Sequence, residues 1–302
     1  FKTLSNFRCE LLQQLIQKGH ELYLSIPQDD RNQLFESYGC KIVPTPISRH
    51  GTNVIKELKL IRMYKKIMKS VKPDVVLTFT VKPNIYGSIA AASLNIPYIN
   101  NVTGLGSVMQ KESILKKLML RLQKYAYRKS SCVFFQNEGN LNYFVGKKVV
   151  TGKHALLPGS GVNLQMHPFS QYPSEASGID FVIVSRLRQD KGFDEFFEMA
   201  EHILPHHPSV RLHIVGWIEE QHYKEVLKRY ENNDRIIYHG ETTQAQVHDI
   251  VRQCHCLIHP SYHEGMSNVL MEAASAGRPA LVSDIHGCKE GVDVGITGDV
   301  FT

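Results

Sequence analysis

Short apolar runs alternate with amphipathic stretches along nearly all of the 302 residues, and this alternation constrains the fold more than any other feature. The apolar runs fall at 21–26 (ELYLSI), 74–79 (DVVLTF), 97–102 (PYINNV), 131–136 (SCVFFQ), 180–185 (DFVIVS), 210–215 (VRLHIV), 235–238, 256–259 and 279–283. Patterns of helical period lie between them, at 5–18, 53–70, 83–94, 112–129, 191–204, 219–231, 243–252 and 267–276. Strands that are apolar throughout must be covered on both faces, and strand–helix–strand repetition supplies the cover, so the pattern predicts an α/β protein with parallel, doubly wound sheets. The alternation stops at 158–178, PGSGVNLQMHPFSQYPSEASG, whose Pro, Gly and Ser content reads as a linker. Two Rossmann-like domains follow, 1–160 and 161–302, each within the usual ~100–200 residues of a domain. They are expected to face one another across a cleft at the C-terminal ends of their strands, where such sheets bind ligands. Both ends read as incomplete: the chain opens on a loop and helix where a strand is normal, and GVDVGITGDVFT stops as a strand begins.

The net charge of +6 hides a division: residues 1–150 hold 23 Lys+Arg against 9 Asp+Glu, and residues 151–302 hold 12 against 20. The basic half therefore suits an anionic surface, and the stretches 53–70 and 112–129 mix Leu, Ile, Met and Tyr with Lys and Arg as a helix resting on anionic lipid does. Solvated lysines on an ordinary helix face give the same pattern. No apolar run is long enough to span a bilayer, which takes about 20 residues. No nucleic-acid motif is present, and the six scattered cysteines fit a reducing compartment better than a disulfide framework.

Chemistry concentrates in HEGMSNVLMEAASAGRP, residues 263–279. Ser267-Asn268 before an apolar run reads as a helix start. Glu264 then lies in the loop and Glu272 more than a turn into the helix. A helix N-terminus offers unpaired N–H groups and partial positive charge to a phosphate, and carboxylates accept from sugar hydroxyls. Such a site suits a nucleotide-sugar. Upstream, the strand at 180–185 runs into Arg186-Leu-Arg-Gln-Asp-Lys191-Gly192 and then a helix. Arg186 can grip phosphate oxygens with two parallel N–H bonds, and Lys191 adds a mobile charge.

In order and spacing, SRLRQDKG, then HPSYHEGMSNVLMEAASAGRP, then SDIHGCKEGVDVGITG resemble a retaining glycosyltransferase of family four with the GT-B fold. The resemblance extends over the chain through LLQQLIQKGHELYL, KPDVVLTFTVKPNIYGSIAA and IPYINNVTGLGSVM. These pieces resemble the subgroup that builds lipid-linked surface glycans in bacteria from UDP-sugars such as UDP-N-acetylhexosamines. It implies an acceptor-binding first domain and a donor-binding second one. Arg186 and Lys191 would hold the donor diphosphate, Glu264 the transferred sugar, and Glu272 the ribose. Backbone N–H groups of Gly265, Met266, Ser267 and Asn268 would cap the distal phosphate. Asn101, Thr103 and Gly104 fall on the acceptor side, where many relatives carry a histidine that this chain lacks. The family's glycine-rich loop after its first strand is also missing. The implied partners are a UDP-sugar, a lipid-linked saccharide and the membrane surface. No metal or other cofactor is implied, and the implied location is cytoplasmic, peripheral at the inner face of the cell membrane.

Cys254, His255, Cys256, His259 and His263 invite a metal reading, but their spacing fits no standard zinc pattern. Trp217 follows a strand and is placed either to stack on a base or to pack. His206-His207 sits in a loop and reads as solvated. Two alternatives stay open beside the transferase: a GT-B nucleotide-sugar epimerase, and a non-catalytic subunit that holds nucleotide-sugar or lipid for a partner.

Overall fold

The structure, a computed structural model, describes residues 2–47, 54–105 and 112–302. The chain separates into two compact units, Phe1–Ser160 and Gly161–Thr302.

In the first unit the elements are α1 (Lys2–Phe7), α2 (Cys9–Gln17), β1 (Tyr23–Ile26), α3 (Asn32–Ser37), β2 (Lys41–Pro44) and α4 (Val54–Val71). After them come β3 (Val76–Phe79), a π turn (Pro83–Gly87), α5 (Ser88–Ser93), β4 (Tyr98–Val102), α6 (Ile114–Tyr127), β5 (Cys132–Phe135), α7 (Glu138–Gly146) and β6 (His154–Leu156). All pairings are parallel, and among the described residues they form two ladders, β1-β2 and β3-β4-β5-β6. The single helix expected over 5–18 is broken at Arg8, whose backbone is not helical and whose guanidinium lies 5.0 Å over the Phe79 ring. The helix expected over 83–94 begins as a π turn, a distortion common where side chains compete for the backbone. Its cause is a buried polar knot. Thr78 Oγ1 donates to Asn84 Oδ1 at 2.7 Å, Asn84 Nδ2 to the Asn101 carbonyl at 2.8 Å, and Asn100 Nδ2 to Ser88 Oγ at 2.6 Å. Buried amides must be paired, so the turn is held where those bonds close.

The second unit carries β7 (Ile179–Val184), α8 (Phe193–Ile203), β8 (Val210–Val215), α9 (His222–Lys228), β9 (Ile236–Gly240) and α10 (Gln244–Gln253). It continues with β10 (Cys256–His259), α11 (Asn268–Ser275), β11 (Ala280–Ser283) and β12 (Gly298–Phe301). One parallel sheet results, in the order β12-β11-β10-β7-β8-β9. Alternation along each strand sends Ile183, Leu212, Ile214 and Ile258 to one face, under Phe193, Phe196 and Phe197 of α8 and Tyr223 of α9. Val182, Val215, Leu257 and Val282 go to the other face, under Val251 of α10 and Leu270 and Ala273 of α11. Burying each large side chain contributes about 1.5–3 kcal/mol, so the two faces together fix the directions of the strand ends. The protein is an α/β molecule built from two Rossmann-like units of parallel strands.

Candidate active site

The site grows from the C-terminal ends of β7, β8 and β10. Beyond β7 the chain is pinned by Leu187, fully buried, whose N–H donates to the Trp217 carbonyl at 3.0 Å. A short 3-10 turn, Gln189–Lys191, then leads through Gly192 into α8. Gly192 has φ +74°, and a Cβ there would lie 2.1 Å from the Pro260 carbonyl oxygen. Only glycine tolerates both the left-handed backbone and that approach. The contact seats the Lys191 turn on the HPSYHEG segment, and the Tyr262 N–H donates to the Asp190 carbonyl at 3.1 Å.

That seating brings Lys191 to Glu264. Lys191 Nζ lies 2.6 Å from Glu264 Oε1, with the two side chains 12% and 17% exposed. His259, the last residue of β10, brings Nε2 to 3.3 Å from the same oxygen. Burial opposes the charge on Glu264, but His259 and Lys191 outweigh it and hold the carboxyl well below the usual carboxylate range. Glu272 is the reverse case. Nothing described offsets its burial, which pushes its carboxyl up to about 7.

Arg186 lies on the β7–α8 loop but is paired across to the segment after β8. Its Nη1 donates to Glu219 Oε2 at 2.6 Å, and its guanidinium lies 5.9 Å from the Trp217 ring centre. Glu219 also accepts from Arg188 Nη1 at 3.0 Å, and Arg188 Nε donates to Asp190 at 2.8 Å. Burial alone would raise the Glu219 carboxyl, yet the two guanidiniums keep it below its ordinary value. The candidate cations are thus balanced by carboxylates at the site, and Glu219 and His259 are the partners that motif reading did not assign. Nothing local in the sequence marks Glu219, which is 33 residues from Arg186. His259 had a signal, its place at a strand's C-terminal end one residue before Pro260.

Helix α11 starts at Asn268 as expected, with Ser267 in extended backbone before it. The Ser267 N–H donates to the Gly287 carbonyl at 3.1 Å and is engaged within the loop. The Ser267 side chain makes no capping bond. The cause is a tight approach: a Cβ on Gly287, at φ +89°, would lie 2.6 Å from the Gly265 carbonyl oxygen. Glu290 holds this turn by accepting from the Gly287 N–H and from His286 Nδ1 at 2.7 Å. Gly265, Met266 and Asn268 stay at the helix entrance. Asn268 and Glu272 are four apart and share one face of α11, with the Glu272 side chain directed back toward that entrance. Ser261 Oγ and Asn268 Oδ1 are buried here with no hydrogen-bond partner among the described residues.

Asn101, Thr103 and Gly104 lie at the C-terminal end of β4, in the first unit. Asn101 is buried, its carbonyl accepts from Asn84, and its Oδ1 has no hydrogen-bond partner among the described residues. Residues 106–111 of the same loop lie outside the described residues. The histidines and cysteines near β10 have other engagements. His255 Nδ1 accepts from the Asp180 N–H at 2.9 Å, Cys256 lies in the strand, and His259 faces Glu264.

A parallel α/β unit that gathers cations and a helix entrance around Glu264 suits an anionic ligand, and the chain is a glycosyltransferase of the GT-B type, a hexosyltransferase. Two family models match, one to each unit: "Glycosyl transferase 4-like" over residues 2–137 and "Glycosyl transferases group 1" over residues 169–302. Both models describe glycosyl transferases, and together they span most of the chain. It is 24% identical to the N,N'-diacetylbacillosaminyl-diphospho-undecaprenol alpha-1,3-N-acetylgalactosaminyltransferase of Campylobacter jejuni, over 96% of this chain and 80% of that one. It is 24% identical to the UDP-Gal:alpha-D-GlcNAc-diphosphoundecaprenol alpha-1,3-galactosyltransferase of Escherichia coli, over 84% of this chain and 68% of the relative. Among solved structures, Anabaena HepE in complex with UDP and glucose aligns with a TM-score of 0.76 at 18% identity, covering 97% of this chain and 81% of that one.

Proposed function

We propose that the protein moves a hexosyl group, of the N-acetylhexosamine kind, from a UDP-sugar to a lipid-linked saccharide, with retention at the anomeric carbon. The observation that carries this reading is the buried Lys191–Glu264 pair at the entrance of α11, with His259 on the same oxygen. Support for the acceptor comes from the printed activities of the Campylobacter and Escherichia relatives, both of which act on undecaprenyl-diphosphate-linked sugars.

The hard step is breaking the sugar–phosphate bond. Negative charge grows on the leaving diphosphate, and preplaced positive groups stabilise it without reorganising. Arg186 and Lys191 meet the diphosphate, and the amides of Gly265, Met266 and Asn268 meet its distal phosphate, so the chain's own groups supply that charge without a metal. Glu264 accepts from hydroxyls of the transferred sugar and Glu272 from the ribose. Asn101, Thr103 and Gly104 belong to the acceptor side. The leaving phosphate itself accepts the acceptor's proton in a front-face displacement.

A lipid-linked acceptor calls for an enzyme at the inner face of the cell membrane, and two basic helices of the first unit support that reading. On α6, Ile114, Leu118 and Tyr125 are exposed among Lys117, Arg121 and Lys124. On α4, Ile55 and Leu58 are exposed among Lys56, Lys59 and Arg62. Both helices pack on the π turn and α5. Apolar tips between cations suit anionic headgroups.

The test measures UDP release from UDP-N-acetylhexosamines with a polyprenyl-diphosphate-linked sugar as acceptor. Arg186→Ala and Glu264→Ala are each expected to slow turnover by roughly 10²–10³-fold while the protein stays folded. Unchanged rates would defeat the site assignment. Conversion of the UDP-sugar without acceptor would point to an epimerase, and binding of UDP without turnover to a carrier subunit.

A further inference from the structure

We infer that His259 is a positioning residue that holds the Glu264 carboxylate in place when Lys191 turns to the donor diphosphate. This rests on the donor-site reading above and adds a role to a residue that reading leaves idle. Lys191 Nζ and His259 Nε2 approach the same atom, Glu264 Oε1, at 2.6 Å and 3.3 Å. A carboxylate oxygen only accepts, so the facing Nε2 carries the proton. That nitrogen makes no aligned hydrogen bond as the structure stands. Lys191 holds the better geometry, and His259 stands behind it.

Donor binding changes this balance. A diphosphate draws an ammonium more strongly than one carboxylate does, and Lys191 is a flexible point charge able to move. Glu264 is not, being only 17% exposed and fixed in the turn that Gly287 closes. A buried carboxylate that loses its counter-charge either takes up a proton or turns away. Either result removes the acceptor of sugar hydroxyls just when the sugar arrives. His259 is suited to prevent it. It ends β10 and is registered against Val282 of β11, and its side chain is 4% exposed. Its place is therefore set by the sheet and not by the ligand. The other titratable groups near Glu264 do not substitute for it. His263 is exposed and on Glu264's own loop, with its pKa lowered by partial desolvation and by Lys191. The Cys288 thiol is pushed far up by burial and stays neutral.

The test compares His259→Phe and His259→Gln with wild type. UDP affinity is measured by calorimetry, and sugar transfer is followed from pH 5 to pH 9 with thermal melts as a check on folding. UDP affinity is expected to stay within about threefold in both variants, because His259 does not touch the diphosphate. In His259→Phe, kcat is expected to fall on the order of 30-fold with little change in KM for the donor, as loss of a transition-state-oriented group requires. Its acid limb is expected to move at least about one unit to higher pH, since Glu264 then protonates more readily. His259→Gln, which keeps an N–H donor, is expected to recover most of kcat and to return the limb. A His259→Phe enzyme with a wild-type acid limb, or equal losses in both variants, would overturn the inference. Loss of UDP affinity in either variant would likewise assign His259 to folding or binding. Failure of wild type itself to bind UDP would overturn the donor-site reading, and this role with it.

Discussion

The entrance of α11 and the end of β4 are both strand-end sites in parallel sheets, yet they are built from different material. The first is ionic: Lys191 and His259 on Glu264, and Arg186 and Arg188 on Glu219, with glycines letting the loops close. The second is neutral, a knot of Thr78, Asn84, Ser88 and Asn100 beneath Asn101, while its unit carries cations on the outward faces of α4 and α6. A site for a small, highly charged ligand needs fixed counter-charges that cost little to rearrange. Paired ions meet that need, because each pair trades one anion for another. At the end of β4 the groups that meet one another are amides and hydroxyls instead, and the cations of α4 and α6 lie on outward faces.

Backbone closeness is where the two regions should differ most. Gly192→Ala forces a Cβ to 2.1 Å from the Pro260 carbonyl at a positive φ. It is expected to lower stability by roughly 2 kcal/mol or more and to weaken UDP binding, because the Lys191 turn must shift. Gly146→Ala, at the end of α7, meets nothing within 4 Å and is expected to change stability by less than about 0.5 kcal/mol. Denaturant melts of both variants beside UDP titrations check the pair, and equal losses would break the contrast.

Charge burial sharpens it next. Between the ordinary value of 4.5 and the folded value of about 7, the folded state binds more protons at Glu272 than the unfolded chain does. Stability from this group is therefore full below pH 4.5 and lost as pH rises through about 7. Glu272→Gln is expected to raise stability at pH 8 by on the order of 2 kcal/mol, with little effect at pH 4.5, while weakening UDP binding. Urea melts at the two pH values read it, and an equal effect at both would contradict the assigned burial.

The first unit's surface is expected to show its effect in vesicle binding alone. Replacing Lys117, Arg121 and Lys124 by Glu is expected to weaken binding to phosphatidylglycerol vesicles by at least about 1 kcal/mol per residue. UDP affinity should not change. Flotation at low and high salt measures this, and unaltered vesicle binding would remove α6 as the docking face.

The long elements were legible because each spans enough residues for its period to show. Every apolar run read as a strand is one, and α4, α6, α8, α10 and α11 lie where their patterns place them. β2, β6, α3 and the nine-residue α7 could not be read, because their residues show no clear apolar period, although Asn137 caps α7 and accepts from the Asn140 N–H. The break at Arg8 was hidden because its cause, Phe79, lies far along the chain. The same limit governs the site. Arg186, Lys191, Glu264 and Glu272 could be read from their places after strands and in a helix start. That Glu219 neutralises Arg186, that His259 shares Glu264, and that Gly287 takes the Ser267 amide are facts of folding across loops, which no local pattern carries.

The central claim is that the second unit closes Arg186, Lys191 and the α11 entrance around a diphosphate. A crystal structure with UDP tests it most directly. The account predicts the diphosphate within hydrogen-bond distance of Arg186 and Lys191, Arg186 loosened from Glu219, and the ribose on Glu272. UDP bound elsewhere, with the Arg186–Glu219 and Lys191–Glu264 pairs undisturbed, would contradict it.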